Sequence, residues 1–144
     1  MDELKKAARI AFASEYAFYL KTHEFHWNVE GPDFYEFHLL FERIYKEVYK
    51  SLDDFAEKLR ALETYAPASF SKLSMLTRVE DENQQLEARA MAVELLRDSD
   101  KMFGLLKIVY DIAEREGEHG FSNFLAERMD AHRKHSWMLR SSLK

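Results

Sequence analysis

The stretch Phe34–Leu59, FYEFHLLFERIYKEVYKSLDDFAEKL, decides how this chain folds. Phe34, Phe37, Phe41, Ile44, Val48, Leu52, Phe55 and Leu59 recur at steps of three and four with no Gly or Pro between them. That is the apolar stripe of one long amphipathic helix. His38 and Glu42 lie four residues apart, as do Asp53 and Glu57, so each pair projects from one face of its turn. The two pairs are themselves fifteen residues apart, roughly 22 Å of helix at about 1.5 Å of rise per residue. Within one chain they cannot share a metal ion.

A second copy of the chain removes the difficulty. When two such helices run antiparallel across a two-fold axis, facing residues have numbers that add to a constant. The numbers of His38 and Glu57 add to 95, and so do those of Glu42 and Asp53. His26 joins by the same logic, because Gly31-Pro32 marks a tight turn between this helix and the preceding one. Neighbours across that turn should add to the low sixties, and His26 with His38 gives 64. The expected site is therefore His26, His38 and Glu42 from one subunit with Asp53 and Glu57 from its mate. Such mixed imidazole and carboxylate donors suit Fe(II), with Zn or Mn as substitutes, rather than Cu(I) or an iron-sulfur cluster. A plainer reading stands beside this one: packed histidines near a subunit contact and a solvated acidic face at Asp53, Asp54 and Glu57. The matching sums favour ligands.

The rest of the chain supports an all-helical reading. Its 144 residues correspond by length to one domain, and 47% hydrophobic residues suffice for a core. With 33% charged residues and only short apolar runs, no membrane span is expected. Met1-Asp2-Glu3 does not resemble the basic start of a signal peptide, so cytoplasmic residence is the expectation. The absence of cysteine removes disulfides, thiolate metal sites and cysteine nucleophiles. A net charge of −5 argues against a general nucleic-acid surface.

Four Gly and two Pro punctuate the chain where helices should end. The pattern predicts a first helix over 2–29, a second over 34–62, a third over 82–116 and a last over 121–143. Asp98-Ser99-Asp100 and Gly104 are candidate bends in the third. The long connection 63–81, holding Pro67, should carry a short helix near 69–76, with Phe70, Leu73 and Leu76 on one face. A connection of that length suits a crossover rather than a hairpin. The sum is a ferritin-like four-helix bundle with a short extra helix between its second and third long helices.

The motif His26-Trp27-Asn28-Val29-Glu30-Gly31-Pro32, followed by Phe34, His38, Phe41 and Glu42 and then by Asp53-Asp54-Phe55-Ala56-Glu57-Lys58, resembles the ferroxidase segment of the Dps family, the DNA-binding proteins from starved cells. His132-Arg133-Lys134 and Trp137-Met138-Leu139-Arg140 are similar to that family's closing helix, so the resemblance spans essentially the whole chain. It implies a hollow shell of twelve subunits built from two-fold dimers, which oxidises Fe(II), preferably with hydrogen peroxide, and stores the ferric mineral inside. It also implies that His26, His38, Asp53 and Glu57 hold iron, that Glu42 stands where many members have Asp, and that Trp27 lies beside the centre. For Trp27 two readings stay open, interception of a stray oxidising equivalent or an aromatic anchor at the interface. Glu118 matches the acidic turn that lines an iron-entry pore.

Members that bind DNA often use a Lys-rich extension. Here Lys5 and Lys6 are the only basic pair before the first helix is under way, so DNA binding is not expected. The competing function is a non-enzymatic shell or DNA-protecting protein with a structural Zn or Mn. His23 reads as a surface or interface residue, His132 as a core histidine, and the Glu116/His119 pair as accidental, since a bundle-core di-iron site needs that motif twice.

Overall fold

The computed structural model describes residues Met1–Lys144 and contains five helices. They are α1 (Asp2–Asn28), α2 (Phe34–Ala61), α3 (Phe70–Leu76), α4 (Ala88–Arg115) and α5 (His119–Ser142). None is long and apolar enough to cross a membrane.

The stripe read from α2 is the one it buries: Phe37, Phe41, Ile44, Val48, Leu52, Phe55 and Leu59 all face the core. Each such side chain is worth roughly 1.5–3 kcal/mol on removal from water, which outweighs modest helix propensities along the segment. Phe34, at the helix start, stays partly exposed. The short turn at Gly31-Pro32 folds α2 back along α1. Antiparallel packing of α4 on α1 follows from two ion pairs at opposite ends, Lys21 with Asp98 and Arg115 with Glu3. Hydrogen bonds at opposite ends, from Arg89 to the Leu143 carbonyl and from the Ser122 hydroxyl to Glu114, set α5 antiparallel to α4. Two helix pairs joined by one long crossover give the expected bundle, with α3 in the crossover.

Two helix starts and one expected bend differ from expectation for physical reasons. Residues 82–87 are not helical, so α4 begins at Ala88. The connection is held against α1 instead: the Lys21 ammonium donates to the carbonyl of Glu80, just before that segment, and the Gln85 amide within it donates to the Asn28 carbonyl. The Asp98-Ser99-Asp100 stretch and Gly104 do not interrupt α4, because Asp98 and Ser99 are buried and paired with Lys21 and His132 rather than with their own backbone. Finally, α5 starts two residues before Phe121. Gly117, at a φ of 78°, makes the turn, while Gly120 lies inside the helix. The short helix expected near 69–76 is present, capped by Ser69 accepting from the Lys72 amide, but α3 buries no residue and leaves Phe70 exposed.

Candidate metal centre

The last turn of α1 and the first turns of α2 bring His26, His38 and Glu42 into one cluster, with a nitrogen or oxygen from each within 4.8 Å of the others. The expectation that both imidazoles share a level holds: the rings stack at 3.8 Å between centroids and 16° between planes. Each ring also binds the other residue's backbone. His26 Nδ1 lies 2.8 Å from the His38 carbonyl, and His38 Nδ1 lies 2.8 Å from the His26 carbonyl. A carbonyl only accepts, so both Nδ1 atoms carry the proton and both Nε2 lone pairs are free. That reciprocal clamp fixes tautomer and ring orientation together, the usual role of an outer hydrogen bond on a metal-binding histidine.

His26 is buried, while His38 and Glu42 are half-buried. Glu42 places Oε1 at 3.8 Å from His26 Nε2 and Oε2 at 3.3 Å from Lys46. Phe34 stacks on the outer side of His38 at 4.8 Å. Trp27 stands 59% exposed beside the cluster, its ring 3.8 Å from that of His23.

Asp53, Asp54 and Glu57 form a second group within 4.8 Å, all exposed on α2. The helix between the two groups is unbroken, so one chain keeps them apart, as the spacing requires. Glu118 occupies the N-cap position of α5, with no hydrogen bond from its side chain to the helix start.

Two features escaped the sequence reading. His23 is not a plain surface residue: its ring stacks on Tyr45 at 3.8 Å and 12°, and its Nδ1 lies 3.0 Å from the Tyr19 hydroxyl. Burial, helped by the neighbouring His26, pushes His23 below its ordinary range, and burial beside Tyr16, Tyr49 and Tyr45 pushes the Tyr19 phenol up.

The second is a charged network inside the bundle. His132 is buried as expected, but it meets the fully buried Glu15 at 2.6 Å. Arg128 reaches Glu15 at 3.4 Å and Glu47 at 2.5 Å, and His135 meets Glu47 at 2.7 Å. Burial alone would raise Glu15, but the His132 and Arg128 charges hold it below its usual value. Burial also opposes ionisation of Glu47, yet hydrogen bonds from His135 and Arg128 bring it down to about 2. The available signal was Arg128, His132 and His135 at three- and four-residue steps with buried Leu125 and Leu139.

The model of the ferritin-like domain matches residues 6–144. The DNA protection during starvation protein of Helicobacter pylori is 30% identical over 126 residues, covering 87% of this chain and 88% of its own. The chain belongs to the Dps family. Among solved structures, Dps from Staphylococcus aureus superposes with a TM-score of 0.94 at 26% identity, covering 100% of this chain and 97% of its own. The Dps protein of Vibrio cholerae O1, described as one of a broad superfamily of ferritin-like diiron-carboxylate proteins, gives 0.94 at 25% identity, covering 99% and 90%. The bundle, with α3 in its crossover, thus superposes on Dps structures over essentially the full chain.

Proposed function

We propose that this chain is a Dps-type ferroxidase and iron store whose reaction site is completed by a second copy. The carrying observation is the reciprocal His26/His38 clamp, which leaves two Nε2 donors beside Glu42 while the next carboxylates, Asp53 and Glu57, lie out of reach along the same helix. In this reading His26, His38 and Glu42 of one subunit and Asp53 and Glu57 of its mate hold the Fe(II) substrate. The outward face of α2 supports the pairing: Tyr35, Leu39 and Tyr49 are exposed there, on the same stripe as Glu42, Asp53 and Glu57. Apolar surface of that kind marks an association face.

Two Fe(II) ions each give one electron to hydrogen peroxide, the O–O bond breaks, and hydrolysis of the two Fe(III) products releases protons as the ferric mineral forms. The carboxylates offset the added charge at each iron. Pairing two irons with a two-electron oxidant avoids free hydroxyl radical. Twelve subunits enclosing the mineral, Glu118 at an iron-entry pore and Trp27 beside the centre are carried over from the family, and residence in the cytoplasm completes the reading.

The test is stopped-flow oxidation of Fe(II) with and without peroxide. His38→Ala and Asp53→Ala should each abolish the rapid phase. Mixed after subunit exchange, the two inactive variants should regain about a quarter of the sites, because in half the dimers one site draws both intact ligands. No acceleration by the wild type over buffer would leave the structural-metal shell as the reading. Activity in the wild type with no recovery after verified exchange would refute the shared site.

A further inference from the structure

Trp27, His23, Tyr45 and Tyr19 form a contiguous set of rings leading away from His26. Trp27 lies 3.8 Å from His23, His23 lies 3.8 Å from Tyr45, and Tyr45 lies 5.1 Å from His26. Tyr19 packs against His23 at 5.6 Å and Tyr45 at 6.2 Å. A phenol gives up an electron readily only if its proton has somewhere to go. Among Tyr16, Tyr19, Tyr45 and Tyr49, only Tyr19 has a hydrogen-bonded hydroxyl, and its partner is His23 Nδ1 at 3.0 Å. An imidazole nitrogen in that position can take the proton without its leaving the pair.

We propose that Tyr19 is a redox relay that supplies the second electron to peroxide when the site holds a single Fe(II). The proposal rests on the ferroxidase reading above. One Fe(II) and one peroxide yield Fe(III), one hydroxide and one unsatisfied oxidising equivalent. Tyr19 gives one electron through the ring set, so the second oxygen also leaves as hydroxide, and the phenolic proton moves to His23. The products are Fe(III), two hydroxides, a neutral tyrosyl radical and an imidazolium. A later Fe(II) returns the electron and His23 returns the proton. Two Fe(II) are then consumed per peroxide even when they arrive one at a time. Tyr19 touches neither iron nor peroxide and acts through its neighbours. Tyr45, stacked on His23 but with no acceptor for its proton, conducts without storing the radical.

Two measurements test this on the assembled protein. In the first, less than one Fe(II) per site is mixed with excess peroxide and freeze-quenched for electron paramagnetic resonance. The wild type should show a tyrosyl radical, Tyr45→Phe should retain it, and Tyr19→Phe should lose it while trapped hydroxyl radical rises. The second uses no iron. The chain has two tryptophans, so a Trp137→Phe background leaves Trp27 alone to be oxidised by pulse-generated azide radical. Transfer from the Trp27 radical to tyrosine should then slow by about tenfold or more on adding Tyr19→Phe.

The relay stands only if both measurements depend on Tyr19. A tyrosyl signal unchanged in Tyr19→Phe, or its absence from a wild type that oxidises Fe(II) rapidly, overturns it. So does transfer from Trp27 indifferent to Tyr19. A wild type without rapid oxidation defeats the ferroxidase reading and, with it, the role in peroxide reduction, whereas transfer in the iron-free measurement still reports the ring pathway by itself.

Discussion

Arg128 illustrates how one side chain stabilises a bundle whose interior is not wholly apolar. Its guanidinium is 4% exposed and lies between Glu15 and Glu47, and burial of that charge is offset by both carboxylates. Glu15 has no access to water, so its charge is tolerated only because Arg128 and His132 compensate it. Arg128→Ala should therefore destabilise the protein by on the order of 3–5 kcal/mol, the usual result of stranding a buried charge. Denaturant midpoints check this; a loss within experimental error would mean that the network is neutral. His26 and His38 show a different economy at the same scale, since each backbone carbonyl sets the tautomer of the other ring.

Among the elements, α2 was readable as a helix with a core side and an outward side because its two faces carry independent patterns. Phe37, Phe41, Ile44, Val48, Phe55 and Leu59 mark the core side at helical spacing, and Glu42, Asp53 and Glu57 lie on the outward side. The start of α4 was not readable. Leu86 continues the apolar spacing of that helix, yet residues 80–87 are held along α1 by contacts of Glu80 to Lys21 and of Gln85 to Asn28, and hydrogen bonds between residues nearly sixty positions apart leave no local trace. Gly117 was readable as a stop, and its φ of 78° is the left-handed conformation that ends many helices. A Cβ there would meet nothing within 4 Å, so the cost of Gly117→Ala is conformational alone. It should be about 1–2 kcal/mol by thermal or chemical unfolding. A neutral result would show that the turn relaxes to an ordinary φ.

For the whole molecule, the internal network predicts how stability depends on pH. Glu47 is held at about 2 against an ordinary 4.5, so its contribution is complete above 4.5 and is lost as pH falls through about 2. Burial depresses His135 below its ordinary 6.5, so on acidification the unfolded chain takes up that proton first and stability begins to fall below 6.5. Denaturant midpoints measured from neutral to strongly acid pH should decline in two stages. His135→Gln should remove the upper one, and Glu47→Gln should shrink the lower, to which the depressed Glu15 also contributes. A single decline below 4.5 in the wild type would contradict the His135 part. The helical bundle, its crossover and the cluster at His26, His38 and Glu42 were determined by the sequence alone, because they rest on periodicity, turn residues and short separations along the chain. The stacked clamp of the two histidines, the stacking of His23 on Tyr45 and the Glu15–Arg128–Glu47 network were decided only by the tertiary structure. Their partners lie on different helices, and a charged or aromatic residue looks the same in sequence whether it faces water or another helix.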